Sequence, residues 1–591
     1  MSVMPQLPKP LTERLLRLLR WRVWVQEKLQ PTEWQITLLW AALAGFLGAM
    51  VSLLFTALTE GIHELLTGYD SGVVETMRQL PWWARVLVPA GGGLLAGLTL
   101  LLGRRITRGR SSTDYMEAIV IGTGELPVRA SLVKSAAALF SIGSGGSIGR
   151  EGPLVQLAAV VASAIGRWRK FSPPQLRLLV ACGAAAGIAS AYNAPIAGSF
   201  FVAEIILGTI AMESLGPLAV SAVVAALTMR VLTDAQQLYR VPEFHLHSPW
   251  EMGPYVVLGL LVGTLAPWFL RSLRRAEQWF MTTKLPPIAR LVLGGIIVGD
   301  LAIFVPEVCG NGYTVVVDIL NGKIFWEALI LIFLAKWVAT ASSVGSGAPG
   351  GVFTPALFMG ASAGYLFGTA VHHVWPQGAV DPQAFALVGM GAFLSAASYA
   401  PIMAVIMLFE MTLSYDIILP LMLCSVIAYY TAKGLEGQSL YSEALRRKSA
   451  ETPQPEMPTG RVRDLMKVAP PQVKNTAPFA ELARMFLSVR VNNIYVVSAG
   501  ERFLGAVSLH DIKPYLGDAD LASLVIASDV LREDFPRIGP DETLADALNG
   551  FLNRPIERLP VVDPATGKLL GSLAKTDLLL ALVETTKKKT A

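Results

Sequence analysis

The sequence predicts an α-helical, multi-spanning membrane protein built from two related halves with broken helices, followed by a small soluble α/β module that is itself duplicated. Three observations predict this. The 591 residues are 53% hydrophobic and only 16% charged, with mean hydropathy +0.50, whereas a soluble globular chain carries about 25% charged residues. Many apolar stretches, such as "PAGGGLLAGLTLLLG" from Pro89 and "APGGVFTPALFMGASAG" from Ala348, are shorter than the roughly 20 residues that cross a bilayer or are interrupted by Gly and Pro. Such breaks are tolerated at membrane depth only where they are buried in protein or line a cavity. Third, the sequence matches itself in two separate regions.

Residues 1–34 read as a basic lead-in. Residues 9–28, "KPLTERLLRLLRWRVWVQEK", carry six basic and two acidic side chains with Leu and Trp between them. They fit an amphipathic cytoplasmic segment lying near the bilayer surface; a partly ordered basic tail is the other reading. Arg446, Arg447 and Lys448 follow the last apolar stretch. Positive charge flanking the membrane region at both ends places both termini in the cytoplasm. The net charge of +5 calls for no nucleic-acid partner. Cys182, Cys309 and Cys424 lie in or beside apolar segments and form no disulfide or metal pattern. His63 opens "HELLT", which lacks the second His of a zinc-binding HExxH helix. No metal or other cofactor is therefore required.

The membrane region, 35–446, repeats. A shift of 202 carries Lys134 onto Lys336, Ser141 onto Ser343, Gly149 onto Gly351 and Pro153 onto Pro355. A shift of 206 then carries Ala194-Pro195-Ile196 onto Ala400-Pro401-Ile402 and Glu204 onto Glu410. Ordered matches of Lys, Pro and Glu indicate two homologous halves. The sequence alone leaves open whether they run parallel or inverted.

The matched segments "GREGP" (149–153) and "GVFTP" (351–355) each place glycine before a helix start and proline in its first turn. A helix N-terminus offers unpaired N–H groups and about half a positive charge, so it suits an anion. Two half-helices aimed at one point make Gly149, Arg150, Gly152, Val352 and Phe353 candidate anion contacts. The halves differ at one telling position: Glu151 in the first faces Phe353 in the second. A carboxylate at an anion site is a tethered competitor, closing the path when charged and opening it when protonated or swung away. The alternative is that Glu151 pairs with Arg150 or caps its own helix.

"GREGP", "GVFTP" and "LYSEAL" (440–445) resemble the three recurring motifs of the CLC family of chloride channels and chloride/proton antiporters, of the bacterial voltage-gated type, and "ACGAAAGIASAYNAPIAGSFFVAE" from Ala181 is similar to the stretch after that family's gating motif. The resemblance spans nearly all of residues 35–446. It implies a CLC-type fold of inverted repeats in a bacterial inner membrane, a homodimer with one pore per subunit, chloride as the transported ion, Glu151 as the gating glutamate, and Tyr441 as a hydroxyl ligand of a central anion. Backbone amides near Val352 and Phe353 would complete that site. The alternative for Tyr441 is an interface residue capping the last helix. The family's first anion motif, GSGIP, is not intact here. The region reads "GRSSTDYMEA", leaving Thr113 or Ser112 as the hydroxyl donor. Antiporters of the family carry an internal glutamate that relays protons, directly after the position of Glu204. Here that position is Ile205, a lost relay. Passive channel-like conduction is thus expected, with chloride/proton antiport as the alternative and fluoride or nitrate handling further off.

A linker, 449–460, rich in Pro and Thr, leads to the tail. There "NNIYVVSAGERFLGAVSLHDI" from Asn492 matches "ERLPVVDPATGKLLGSLAKTDL" from Glu557. Each reads as strand, turn, strand, helix. The pair resembles two CBS domains, 461–517 and 527–584. That resemblance implies an adenine nucleotide in the cleft between them, with Ser508, Asp511 and Asp577 as candidate contacts; a scaffold that binds nothing is the other reading. A CBS-linked magnesium channel would need several carboxylates within the membrane segments. A CBS-linked metalloprotease would need HExxH. No soluble enzyme fits the hydropathy.

Overall fold

The computed structural model describes residues 33–107, 113–233, 239, 249–375, 381–437, 439, 441, 460–489, 491–512, 524–552 and 556–581. Most of the basic lead-in, Ser112 and nearly all of the linker lie outside the described residues. The chain divides into two compact units, Met1–Arg446 and Arg447–Ala591.

The first unit is helical. Its first half holds α1 (Glu33–Thr67), α2 (Val73–Gln79), α3 (Trp82–Ile106), α4 (Tyr115–Val120), α5 (Val128–Gly143), α6 (Glu151–Trp168), α7 (Pro173–Tyr192), α8 (Pro195–Phe200) and α9 (Met212–Thr233). The second holds α10 (Met252–Thr282), α11 (Pro287–Phe304), α12 (Tyr313–Leu320), α13 (Trp326–Gly345), α14 (Phe353–Val374), α15 (Pro382–Ser398), α16 (Pro401–Thr412) and α17 (Ile418–Leu435). Among the described residues, eight helices are long and apolar enough to span a bilayer, and shorter apolar helices lie between them. Leading prolines start α7, α8, α11, α15 and α16, where the missing N–H has no intrahelical partner to lose.

The two halves meet as inverted copies, and reciprocal contacts mark the pseudo-two-fold between them. Gly149 and Gly351 exchange backbone hydrogen bonds in both directions, each 2.7 Å, as an antiparallel bridge. A side chain on Gly93 would overlap the Leu291 backbone, and one on Gly295 would overlap Pro89. Positions 89 and 291, like 93 and 295, are each 202 apart. These glycines let α3 and α11, which are repeat partners, pack backbone to backbone. Gly145 (φ 93°) and Gly347 (φ 90°) turn the chain through the left-handed region after α5 and α13, a conformation that favours glycine.

The most informative exchange involves two carboxylates. Glu204 accepts from the N–H groups of Ile402 (3.3 Å) and Met403 (2.7 Å) at the start of α16. Glu410 accepts from Ile196 (3.0 Å) and Ala197 (2.7 Å) at the start of α8. Each half therefore caps a helix of the other, with negative charge at the positive helix end. This geometry makes both residues structural. Glu204→Ala and Glu410→Ala are each expected to destabilise the membrane unit by about 1.5–3 kcal/mol, the contribution of a hydrogen bond to a charged group. Thermal unfolding in detergent checks this: equal losses are expected, and a loss at only one position would contradict the reciprocal role.

The second unit carries two three-stranded sheets. In one, β2 (Gln472–Lys474) runs parallel to β3 (Asn493–Val497), which pairs antiparallel with β4 (Phe503–Ser508). In the other, β6 (Leu569–Ala574) pairs antiparallel with both β1 (Lys467–Val468) and β5 (Arg558–Val562). Both hairpins shift register at matching places, after Val496 and after Val561. Val473, Ile494, Val496 and Val507 fill one core, and Leu544, Leu559, Val561 and Leu573 the other. Tyr495, Phe503, Ala506 and Val562 form a cluster drawing on both repeats.

Candidate anion pathway

Two cavities in the membrane unit share one wall, and that wall is Glu151. The first, about 230 Å³, is lined by Asp114 to Met116, Lys134, Gly152, Gly351 to Phe353 and Tyr441. The second, about 420 Å³, is lined by Arg150, Tyr192, Tyr239, Tyr313 and Thr354 among others. Glu151 lines both and is only 4% exposed.

The local sequence explains why a carboxylate can sit there. Glu151 is the first residue of α6, and Phe353 and Thr354 open α14. Neither helix has a capping side chain from the residue before it, so the first-turn N–H groups face the site. The Gly149–Gly351 bridge pins the two helix starts together. The Glu151 carboxylate packs against the backbone of Gly149 and Gly351, where a Cβ at either position would overlap Oε2. Its oxygens sit in the field of two helix N-termini, which favours negative charge there. Oε1 also receives the hydroxyls of Tyr192, at 2.8 Å, and of Thr354. Oε2 is buried with no hydrogen-bond partner.

An aromatic chain runs from this point into the first cavity. Tyr192 packs on Phe353 at 5.2 Å between ring centroids, Phe353 on Phe201 at 6.4 Å, and Phe201 edge-on to Tyr441 at 5.6 Å. Tyr441 is half-buried and lines the cavity. Lys134 adds a cation to the same wall. Its repeat partner, Lys336, is instead fully buried and donates to the carbonyls of Val308 (2.8 Å) and Gly310 (2.6 Å).

The structure thus gathers Glu151, Gly152, Val352, Phe353 and Tyr441 around one cavity. Arg150 lines the other. Gly149 gives its N–H to the bridge with Gly351, so it orders the site through the backbone. Thr113 accepts a hydrogen bond from Gln156 Nε2 through its carbonyl (3.2 Å), and it is Asp114 to Met116 that line the cavity. Ile205 lies half-buried in a π-helical turn, Phe201–Leu207, that continues α8. Tyr192, Thr354 and Phe201 are not singled out as site residues by the sequence, although all three fall inside stretches that are, and a hydroxyl two residues before "APIAG" is the available signal; Lys134 enters there only as a repeat match.

In the tail, Ser508 donates to Asp511 at 2.8 Å, and Asp511 pairs with Arg532. Burial pushes the Asp511 carboxyl up, but the bonds from Ser508 and Arg532 outweigh it and hold it below the usual aspartate range. Asp577 pairs with Lys467 at 3.0 Å.

The fold and the paired helix starts define an anion-transporting membrane protein. The profile of the voltage gated chloride channel family matches residues 91–433, and that of the CBS domain matches 462–518 and 527–584. The chain belongs to that chloride channel family. It is 50% identical over 416 residues to a putative chloride channel protein, ClcB-like, of Ralstonia nicotianae, covering 70% of this chain and 97% of the relative. It is 40% identical over 407 residues to the voltage-gated ClC-type chloride channel ClcB of Escherichia coli, covering 68% and 94%. Among solved structures it resembles a slow cyanobacterial Cl⁻/H⁺ antiporter, with TM-score 0.62 and 27% identity over 70% of this chain and 98% of the other.

Proposed function

We propose that this protein conducts chloride passively along the path joining the two cavities, with Glu151 as the gate. The observation that carries the proposal is the position of Glu151: one buried carboxylate closes the wall between two cavities at the start of two facing helices. In this reading Tyr441, the first-turn amides near Phe353, and Gly152 hold the anion on one side, while Arg150 draws anions to the other. Passive conduction is favoured because the position expected to relay protons is Ile205, which has no proton to exchange. Neighbouring Glu204 is engaged in capping α16. The second reading is chloride/proton antiport. Its support is the likeness to a solved Cl⁻/H⁺ antiporter.

The working unit is proposed to be a homodimer in a bacterial inner membrane with both termini in the cytoplasm, consistent with the basic flanks at residues 9–28 and 446–448. Reversal potentials in a planar bilayer, measured with chloride and pH gradients imposed separately, test the passive reading. A potential set by chloride alone is expected. A potential that moves with the pH gradient would favour antiport.

The tail is proposed to take an adenine nucleotide, with Asp511 as a ribose or phosphate contact once Arg532 is displaced. Calorimetric titration of the full chain with ATP, ADP and AMP should show binding that Asp511→Ala removes. A flat titration would make the module a scaffold.

A further inference from the structure

We propose that Tyr192 and Thr354 form a two-hydroxyl clasp that holds the Glu151 carboxylate in the closed position and sets how often it leaves. The inference rests on the gating role of Glu151 given above and names what restrains that gate. Tyr192 Oη lies 2.8 Å from Glu151 Oε1 and 2.9 Å from Thr354 Oγ1. Thr354 Oγ1 also contacts Oε1. The clasp joins three elements: the last residue of α7, the first of α6 and the first turn of α14.

Donor arithmetic makes the arrangement specific for a carboxylate. The two hydroxyls have one proton each, and a charged Oε1 can accept both. Hydrogen bonds to an ionised acceptor are about twice as strong as neutral ones. With only one oxygen served and Oε2 buried without a partner, the clasp is the main side-chain restraint on the charged gate. The donors themselves are fixed. Tyr192 is 4% exposed with its ring against Phe353, and Thr354 is 3% exposed. When Glu151 swings away, both hydroxyls remain and face the vacated position. They then serve the anion that replaces the carboxylate. The same pair thus opposes opening and supports occupancy, which makes Tyr192 and Thr354 positioning residues for the gate. These opposed roles give a signature that a purely structural contact would not.

The test is chloride flux from proteoliposomes at neutral pH, paired with chloride affinity by calorimetry. Tyr192→Phe and Thr354→Ala are made in the wild type and in Glu151→Ala, with Thr354→Ser as the hydroxyl-retaining control. Loss of one hydrogen bond to a charged group shifts an equilibrium by about tenfold or more, so each variant in the wild type should raise flux by about tenfold or more. Thr354→Ser should keep wild-type flux. In the Glu151→Ala background neither variant should raise flux, and both should weaken chloride binding by about tenfold. Unchanged flux in the single variants, while Glu151→Ala alone raises it, would overturn the clasp and leave the gate standing. Equal loss of flux in both backgrounds would make the pair structural and also overturn it. If Glu151→Ala itself leaves flux unchanged, the gating role fails and the clasp falls with it. Should Tyr192→Phe not fold, the comparison of Thr354→Ala with Thr354→Ser decides alone.

Discussion

Glu151→Ala is expected to give a chloride flux that no longer responds to pH and exceeds the wild type at neutral pH. The physical reason is competition. In the proposed pathway the charged carboxylate occupies the position between the two cavities, held there by the hydroxyls of Tyr192 and Thr354. A charge this deeply buried has few other places to go. Protonation removes the charge and with it the attraction to the helix N-termini, so wild-type flux should rise as pH falls. Where protonation limits opening, flux should change by about tenfold per pH unit once the carboxyl is mostly ionised. Alanine removes both the competitor and the titration. Efflux from proteoliposomes between pH 4 and pH 8 (a range of roughly four units) provides the check. A mutant retaining the full wild-type pH dependence would place the gate elsewhere.

The second large effect is expected at Tyr441. Its ring is fixed edge-on by Phe201, and it lines the same cavity as the two helix starts. Tyr441→Ala removes one hydroxyl donor from an anion. A hydrogen bond to a charged partner contributes about 1.5–3 kcal/mol, which corresponds to a loss in chloride affinity of roughly tenfold to a hundredfold. Tyr441→Phe should reproduce most of this, because the hydroxyl and not the ring serves the ion. Calorimetric titration of the purified variants with chloride reads it directly. Unchanged affinity in both variants would remove Tyr441 from the site.

Much of the fold could be read from local signals. Gly149 and Gly351, or Glu204 and Glu410, are matched positions, and a real repeat must place matched residues about one axis. The structure does so through a bridge and a pair of exchanged caps. What the sequence left open was whether the halves run parallel or inverted, because periodicity and residue matches carry no chain direction. The reciprocal bridge and the exchanged caps relate the halves by a pseudo-two-fold. The site was legible where one short segment holds the chemistry, as at Glu151 and Phe353. It was less legible where distant segments converge. Tyr192 and Thr354 meet at one oxygen although 162 positions apart. A hydroxyl donor is expected at Thr113 or Ser112; Ser112 lies outside the described residues, and beside Thr113 it is Asp114 to Met116 that line the cavity. Lys134 and Lys336 match in sequence but differ in burial, since only one of them faces a cavity.

The central claim is that chloride passes Glu151 without carrying protons, because Ile205 leaves the far side of the gate without a relay. A protonatable group at membrane depth is costly and is retained for a pathway; an aliphatic side chain can neither take nor release a proton. The most direct measurement imposes a chloride gradient across proteoliposomes and follows the external pH. The expected result is chloride movement down its gradient with no proton movement against one. Uphill proton movement in the wild type, abolished by Glu151→Gln, would contradict passive conduction and require a proton route that bypasses position 205.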